Sequence, residues 1–148
     1  MTPRIALLGL GEAGAEIARD LVAAGADVRG YDPKVPHVDA VEPRDDEADA
    51  VRDADVVLSA NSSHDAMTAL RNALPGLRPG TIWADLNTAS PGLKAELERT
   101  AGERAEVVDV ALMAPVPTSA ATTRRRFPWP ACSRGGARPR RSPTPTSC

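Results

Sequence analysis

Three glycines, Gly9, Gly11 and Gly14, stand in G-x-G-x-x-G spacing within "GLGEAG", and Asp32 follows 18 residues after the last of them. A backbone that wraps a pyrophosphate needs glycine at these intervals. The first permits a tight turn, the second admits a phosphate where a Cβ would stand, and the third lets the next helix pack close to a sheet. The phosphates then meet the positive end of that helix. A carboxylate at Asp32 accepts hydrogen bonds from adenosine ribose hydroxyls and repels a 2′-phosphate. The pattern therefore predicts NAD, with NADP possible because Arg29 and Lys34 lie close by in sequence. Such spacing is common, and it gains weight only between a strand and a helix, with a second strand ending in the acid. The alternative is a turn in which Asp32 merely precedes Pro33.

The elements around the motif supply that context. "RIALLGL" (residues 4–10) is an apolar run ending in glycine, suited to a strand covered on both faces. "EAGAEIARDLVAAG" places Ile17, Leu21 and Val22 at helical spacing, with Gly25 where a C-terminal cap belongs. "ADVRGYD" is a second strand ending at Asp32. A weak strand near residues 38–41 and a short charged helix in "EPRDDEADAVRDA" follow. "ADVVLSA" is a buried strand. "SHDAMTALRNALPGLRPG" is a helix with Met67, Leu70 and Leu74 on one stripe, stopped by Pro75 and Gly76. "TIWADLN" is a strand, "SPGLKAELERTAGE" a helix with Ser90 as N-cap and Pro91 at its first position, and "AEVVDVALM" a sixth strand. Strands alternating with helices give the α/β class, a Rossmann-type doubly wound parallel sheet.

Residues 4–117 resemble the β-hydroxyacid dehydrogenase family, which includes 6-phosphogluconate and 3-hydroxyisobutyrate dehydrogenases. "GLGEAG", "ADVVLSANSS", "ADLNTASP" and "VDVALMAPVP" carry the resemblance. It implies a cofactor site made of Gly9, Leu10, Gly11, Glu12, Ala13 and Gly14, of Asp32, of Ser59, Ala60 and Asn61 beside a ribose, and of Asn87 and Thr88 near the nicotinamide. The last two could instead cap the helix that begins near Ser90, and residues 59–61 could be a polar strand end. Glu12, inside the turn, reads first as a solvated carboxylate at a helix start, although the resemblance places it in the cofactor turn. The implied substrate is a small hydroxy acid. Another Rossmann reductase, acting on an imine, shares the fingerprint, although "LNTASP" argues against it.

In that family a lysine, in a Gly-rich segment of a later helical domain, handles the hydroxyl proton. This chain has two lysines, Lys34 in the loop after the second strand and Lys94 in the helix after "LNTASP", expected to face solvent. Neither matches that segment, so no catalytic base is assigned. His64 reads as the start of a surface helix and His37 as a loop residue. No metal-ligand cluster is expected.

Composition divides the chain sharply. All 20 Asp and Glu lie at or before Asp109 with 11 of the 18 Lys and Arg, a net −9 for residues 1–117, whereas residues 118–148 hold seven Arg and no acid, a net +7. Those 31 residues contain no Leu, Ile, Val or Met, and cannot bury enough apolar surface to offset their ordering entropy. A disordered tail is expected. It is either a basic segment for an acidic or nucleic-acid partner or the product of a frame change in a GC-rich gene, and its Arg, Pro, Ala, Gly, Ser and Thr content favours the frame change. Nucleic acid is then not the expected partner, and the catalytic domain, with the homodimer surface it supplies, is missing. Both cysteines, Cys132 and Cys148, fall in this segment. With no signal region and no membrane-length apolar run, a cytoplasmic location is expected.

Overall fold

β-branched and leucine-rich runs separated by helix-forming segments pair here into one sheet. The computed structural model describes residues 2–113. Six strands, β1 (Arg4–Leu8), β2 (Asp27–Tyr31), β3 (Glu42–Pro43), β4 (Val56–Ser59), β5 (Thr81–Asp85) and β6 (Ala105–Asp109), are all parallel and lie in the order β3-β2-β1-β4-β5-β6. The order reverses between β1 and β4, and the crevice at such a switch point is where doubly wound sheets bind ligands. The expected α/β doubly wound class is the observed one. The expected tail disorder falls on residues 118–148, outside the described ones.

Four helices cover the sheet: α1 (Glu12–Ala23), α2 (Glu47–Val51), α3 (Ala66–Ala73) and α4 (Pro91–Ala101). Alternation along the strands sends Ala6, Leu8, Val57 and Trp83 to the face packed by α2, α3 and α4, and Leu7 and Val28 to the face packed by α1. Trp83, fully buried in β5, is the largest side chain of the first core. On the α1 face, Ile82 and Val108 stay 39% and 40% exposed, because no described helix covers β5 and β6 there.

Helix ends follow the predicted chemistry. Gly25 adopts φ +87 just past α1, and the Ser90 Oγ accepts from the Leu93 N–H at 3.3 Å with Pro91 opening α4. Some elements differ from expectation. The α1 residues that bury fully are Gly14 and Ala18, with Leu21 and Val22 only packed alongside, since close helix–sheet approach favours small residues. The weak strand lies at Glu42–Pro43 instead of 38–41; Val41 is taken into the α1 core, and a proline fits only such an edge. The charged helix shrinks to five residues, capped by the Asp46 side chain.

Candidate functional site

The turn from β1 into α1 shows three glycines with three different reasons to be glycine. Gly9 has φ +94, and a Cβ there would stand 2.5 Å from the Ala60 carbonyl oxygen. A Cβ on Gly14 would stand 2.1 Å from the Gly9 carbonyl oxygen. Both are glycine because the protein's own backbone fills the space. Gly11, the exposed N-cap of α1, has φ −64, and a Cβ there would meet nothing within 4 Å. Neither conformation nor packing demands a glycine at this position. Open space at a helix start, beside N–H groups without intrahelical partners, is what a bound anion requires. Leu10 is buried, while Glu12 is exposed in the first turn.

Asp32 is bound into this turn. Its Oδ2 accepts from the Leu10 N–H at 2.8 Å, and its Oδ1 accepts from the N–H groups of Lys34 at 2.7 Å and Val35 at 3.1 Å. The carboxylate ties the end of β2 to the glycine turn and organises its own loop. An ionised carboxylate offers about four lone-pair sites, so one remains for an outside donor such as a ribose hydroxyl. Arg29 does not approach this end of β2. Its guanidinium donates to the Arg52 carbonyl at 3.0 Å and pairs with Asp27 at the start of β2, contrary to the expectation that it could bias the cofactor choice. Lys34 is exposed in the Asp32 loop.

Across the switch point, a cleft of about 290 Å³ opens between the ends of β4 and β5 and the start of α1. That lies near the lower end of the roughly 300–1,000 Å³ usual for small-molecule sites. Ala13, Ala60, Asn61, Asn87 and Thr88 line it, all from the predicted set, together with Ser62, Ser63, Leu86 and Leu112, which were not predicted. Ser59 lies beneath, fully buried, and its Oγ accepts from the side-chain amides of Asn87 at 3.1 Å and Asn61 at 3.2 Å. Asn87 also donates to the buried Asp85 carboxylate, and its own Oδ1 has no partner among the described residues.

Lys94 overturns its expected exposure. Its side chain is 16% exposed, and its ammonium contacts Asp85, the Asn87 carbonyl at 2.7 Å and Asp109 at 2.7 Å. Burial alone lowers the pKa of Lys94, but hydrogen bonds to Asp109 and Asp85, with their charges, outweigh it and hold the group above its ordinary value. Asn87 thus helps build this network instead of capping α4, a role that belongs to Ser90. His64 is exposed two residues before α3, and His37 pairs with Asp39 in an exposed loop. Among the described residues no cluster of three or more His, Cys, Asp or Glu could hold a metal.

A family model described as the NAD binding domain of 6-phosphogluconate dehydrogenase matches residues 4–123. The chain belongs to this NAD-binding family. The match runs six residues past Pro117, where the family-like sequence was expected to stop. Among solved structures, 3-hydroxyisobutyrate dehydrogenase from Mycobacterium tuberculosis, solved with L-serine, is 29% identical with a TM-score of 0.71, over 78% of this chain and 42% of that one. A conserved hypothetical protein from Sinorhizobium meliloti is 32% identical with a TM-score of 0.69, over 79% and 44%. The V8 variant of an imine reductase from Myxococcus stipitatus, in complex with NAD+, is 24% identical with a TM-score of 0.68, over 77% and 42%, and shares the fold. No curated protein matches. The chain spans less than half the length of these structural relatives. Membership in the family agrees with the glycine turn and makes this an NAD-binding domain, one whose fold in solved structures holds NAD+ or NADP+. No helix among the described residues is long and apolar enough to cross a membrane.

The sequence missed the partnership of Lys94, Asp85 and Asp109. A signal existed in principle, because Asp85 is the one charged residue of the strand "TIWAD", and a charge buried there needs a counter-ion.

Proposed function

We propose that this chain is the cofactor-binding part of a cytoplasmic oxidoreductase acting on the CH–OH group of a small hydroxy acid, with the rest of the catalytic machinery, and any homodimer surface, outside residues 2–113. The supporting observation is Gly11, whose missing side chain serves nothing in the protein and leaves room at the start of α1. The glycine turn and the α1 N-terminus hold the pyrophosphate. The remaining lone-pair site of Asp32 accepts from the adenosine ribose, and its charge favours NAD over NADP. Ala60 and Asn61, steadied by Ser59, lie beside the second ribose, and Asn87 and Thr88 form the nicotinamide side. Bound there, NAD supplies the hydride acceptor for oxidation of the alcohol carbon.

The hydroxyl proton needs a positioned base. Lys94 cannot serve, because its three N–H bonds already have three acceptors and its pKa is raised. No described residue is assigned that role, so the chain by itself is expected to bind cofactor and to catalyse little. Titration calorimetry with NAD and NADP, followed by assays on hydroxy acids and cyclic imines, tests this. NAD should bind at least about tenfold more tightly than NADP. Tighter NADP binding would overturn the role of Asp32. Turnover of any hydroxy acid by this chain at roughly 1–10³ s⁻¹ would overturn the inactivity.

A further inference from the structure

We propose that Lys94 is the positioning residue of the nicotinamide side of the cleft, setting the orientation of Asn87 and, through Ser59, of Asn61. The proposal rests on the NAD reading above. The Lys94 ammonium has three N–H donors and three acceptors, one each from Asp85, Asp109 and the Asn87 main chain, and so joins the ends of β5 and β6 to the turn that carries Asn87.

Asp85 carries the contact onward from Lys94. This carboxylate is fully buried, with Lys94 on Oδ2 and the Asn87 side-chain amide on Oδ1. A carboxylate only accepts, so Asn87 must turn its NH₂ toward Asp85, and the alternative flip of the amide is excluded. The other N–H of that NH₂ reaches the Ser59 Oγ, which also takes the Asn61 amide. The orientation leaves the Asn87 Oδ1, rather than its NH₂, as the group without a partner among the described residues. Asn87 and Asn61 both line the cleft, so fixing their amides fixes the wall against which the nicotinamide half of the cofactor would rest. Lys94 acts on the cleft only through Asp85 and Asn87, since it does not line it.

The test compares a ligand that has a nicotinamide with one that lacks it, using the full chain. NADH binding is followed by its fluorescence and ADP-ribose binding by calorimetry, for the wild type, Lys94→Met and the double variant Asp85→Asn/Lys94→Met. The double variant removes both buried charges, so it reports even where the single variant unfolds. The expected result is a blue-shifted NADH emission in the wild type that is lost in the variants. NADH should bind them about tenfold more weakly, while ADP-ribose affinity stays within about twofold. Equal weakening of both ligands would make Lys94 a merely structural clamp and overturn the proposal, as would an unchanged shift and affinity for NADH. A wild type that binds ADP-ribose but leaves NADH emission unshifted would overturn the placement of the nicotinamide, and this proposal with it. A wild type that binds neither ligand would overturn the NAD reading itself.

Discussion

The two sides of the cofactor edge are held in place by different means. At the glycine turn, position is fixed by main chain: Gly9 and Gly14 sit against carbonyl groups, and Asp32 accepts three main-chain N–H groups. Across the switch point it is fixed by side chains, in a chain of contacts from Lys94 through Asp85 and Asn87 to Ser59 and Asn61. Main-chain positioning tolerates almost no change at its glycines and wide change elsewhere. Side-chain positioning makes every member of the network depend on the others.

The largest effect should come from the side-chain network. Lys94→Met leaves the buried Asp85 charge without its cation, and breaking such a pair costs about 3–5 kcal/mol. The lower end is expected because Asp109, the second partner, is 65% exposed and can rehydrate. Urea unfolding measures it, and a loss below about 1 kcal/mol, the scale of exposed pairs, would place this network with them.

Next come Gly9→Ala and Gly14→Ala, each expected to cost at least the roughly 1–3 kcal/mol of an overpacked core, because the clashing atoms are main chain and cannot swing away. Thermal unfolding of the two variants checks this. Asp32→Asn should cost less, about 1–2 kcal/mol, since the amide keeps one acceptor oxygen but places an NH₂ against a main-chain N–H. The same change should narrow the preference for NAD over NADP in a binding titration.

The smallest effects concern pH. Lys94 has a raised pKa, so its stabilising contribution is complete below its ordinary value near 10.5 and is lost only as pH climbs through the raised one. The stability gap between wild type and Lys94→Met should stay flat from pH 7 to about 10 and close above that. Asp55 behaves oppositely. The Arg4 main-chain N–H, outweighing the desolvation that raises it, and the charges of Arg4 and Arg78 lower its pKa. Its contribution is present above 3.8 and fades as pH falls through the lowered value. Asp55→Asn should therefore flatten only the acid limb of the stability curve.

The same contrast explains what could be read from the sequence. The glycine turn announces itself because its requirements are local: φ +94 at Gly9 and open space at Gly11 are met by one residue type at fixed spacing. The doubly wound parallel class followed from alternation of strands and helices, and the caps at Ser90 and Gly25 from residue type; the strand order came only with the fold. The Lys94 network was misread because its partners come from β5, β6 and the intervening turn, and helical spacing alone could not tell a lysine facing solvent from one facing Asp85. Arg29 was misread for the same reason, its partners Asp27 and Arg52 lying at the opposite end of β2 from Asp32. Ser62, Ser63, Leu86 and Leu112 line the cleft through loop conformation, which no periodicity encodes.

The most direct test of the central claim is Gly11→Ala, measured for both unfolding and NAD binding. A methyl group there meets nothing in the protein. The small gain from a stiffer unfolded chain and the small loss at an N-cap should leave stability within about 1 kcal/mol of wild type. NAD binding should fall below detection in the same sample. Retained NAD affinity in a folded Gly11→Ala protein would contradict the claim that this space holds the cofactor's pyrophosphate.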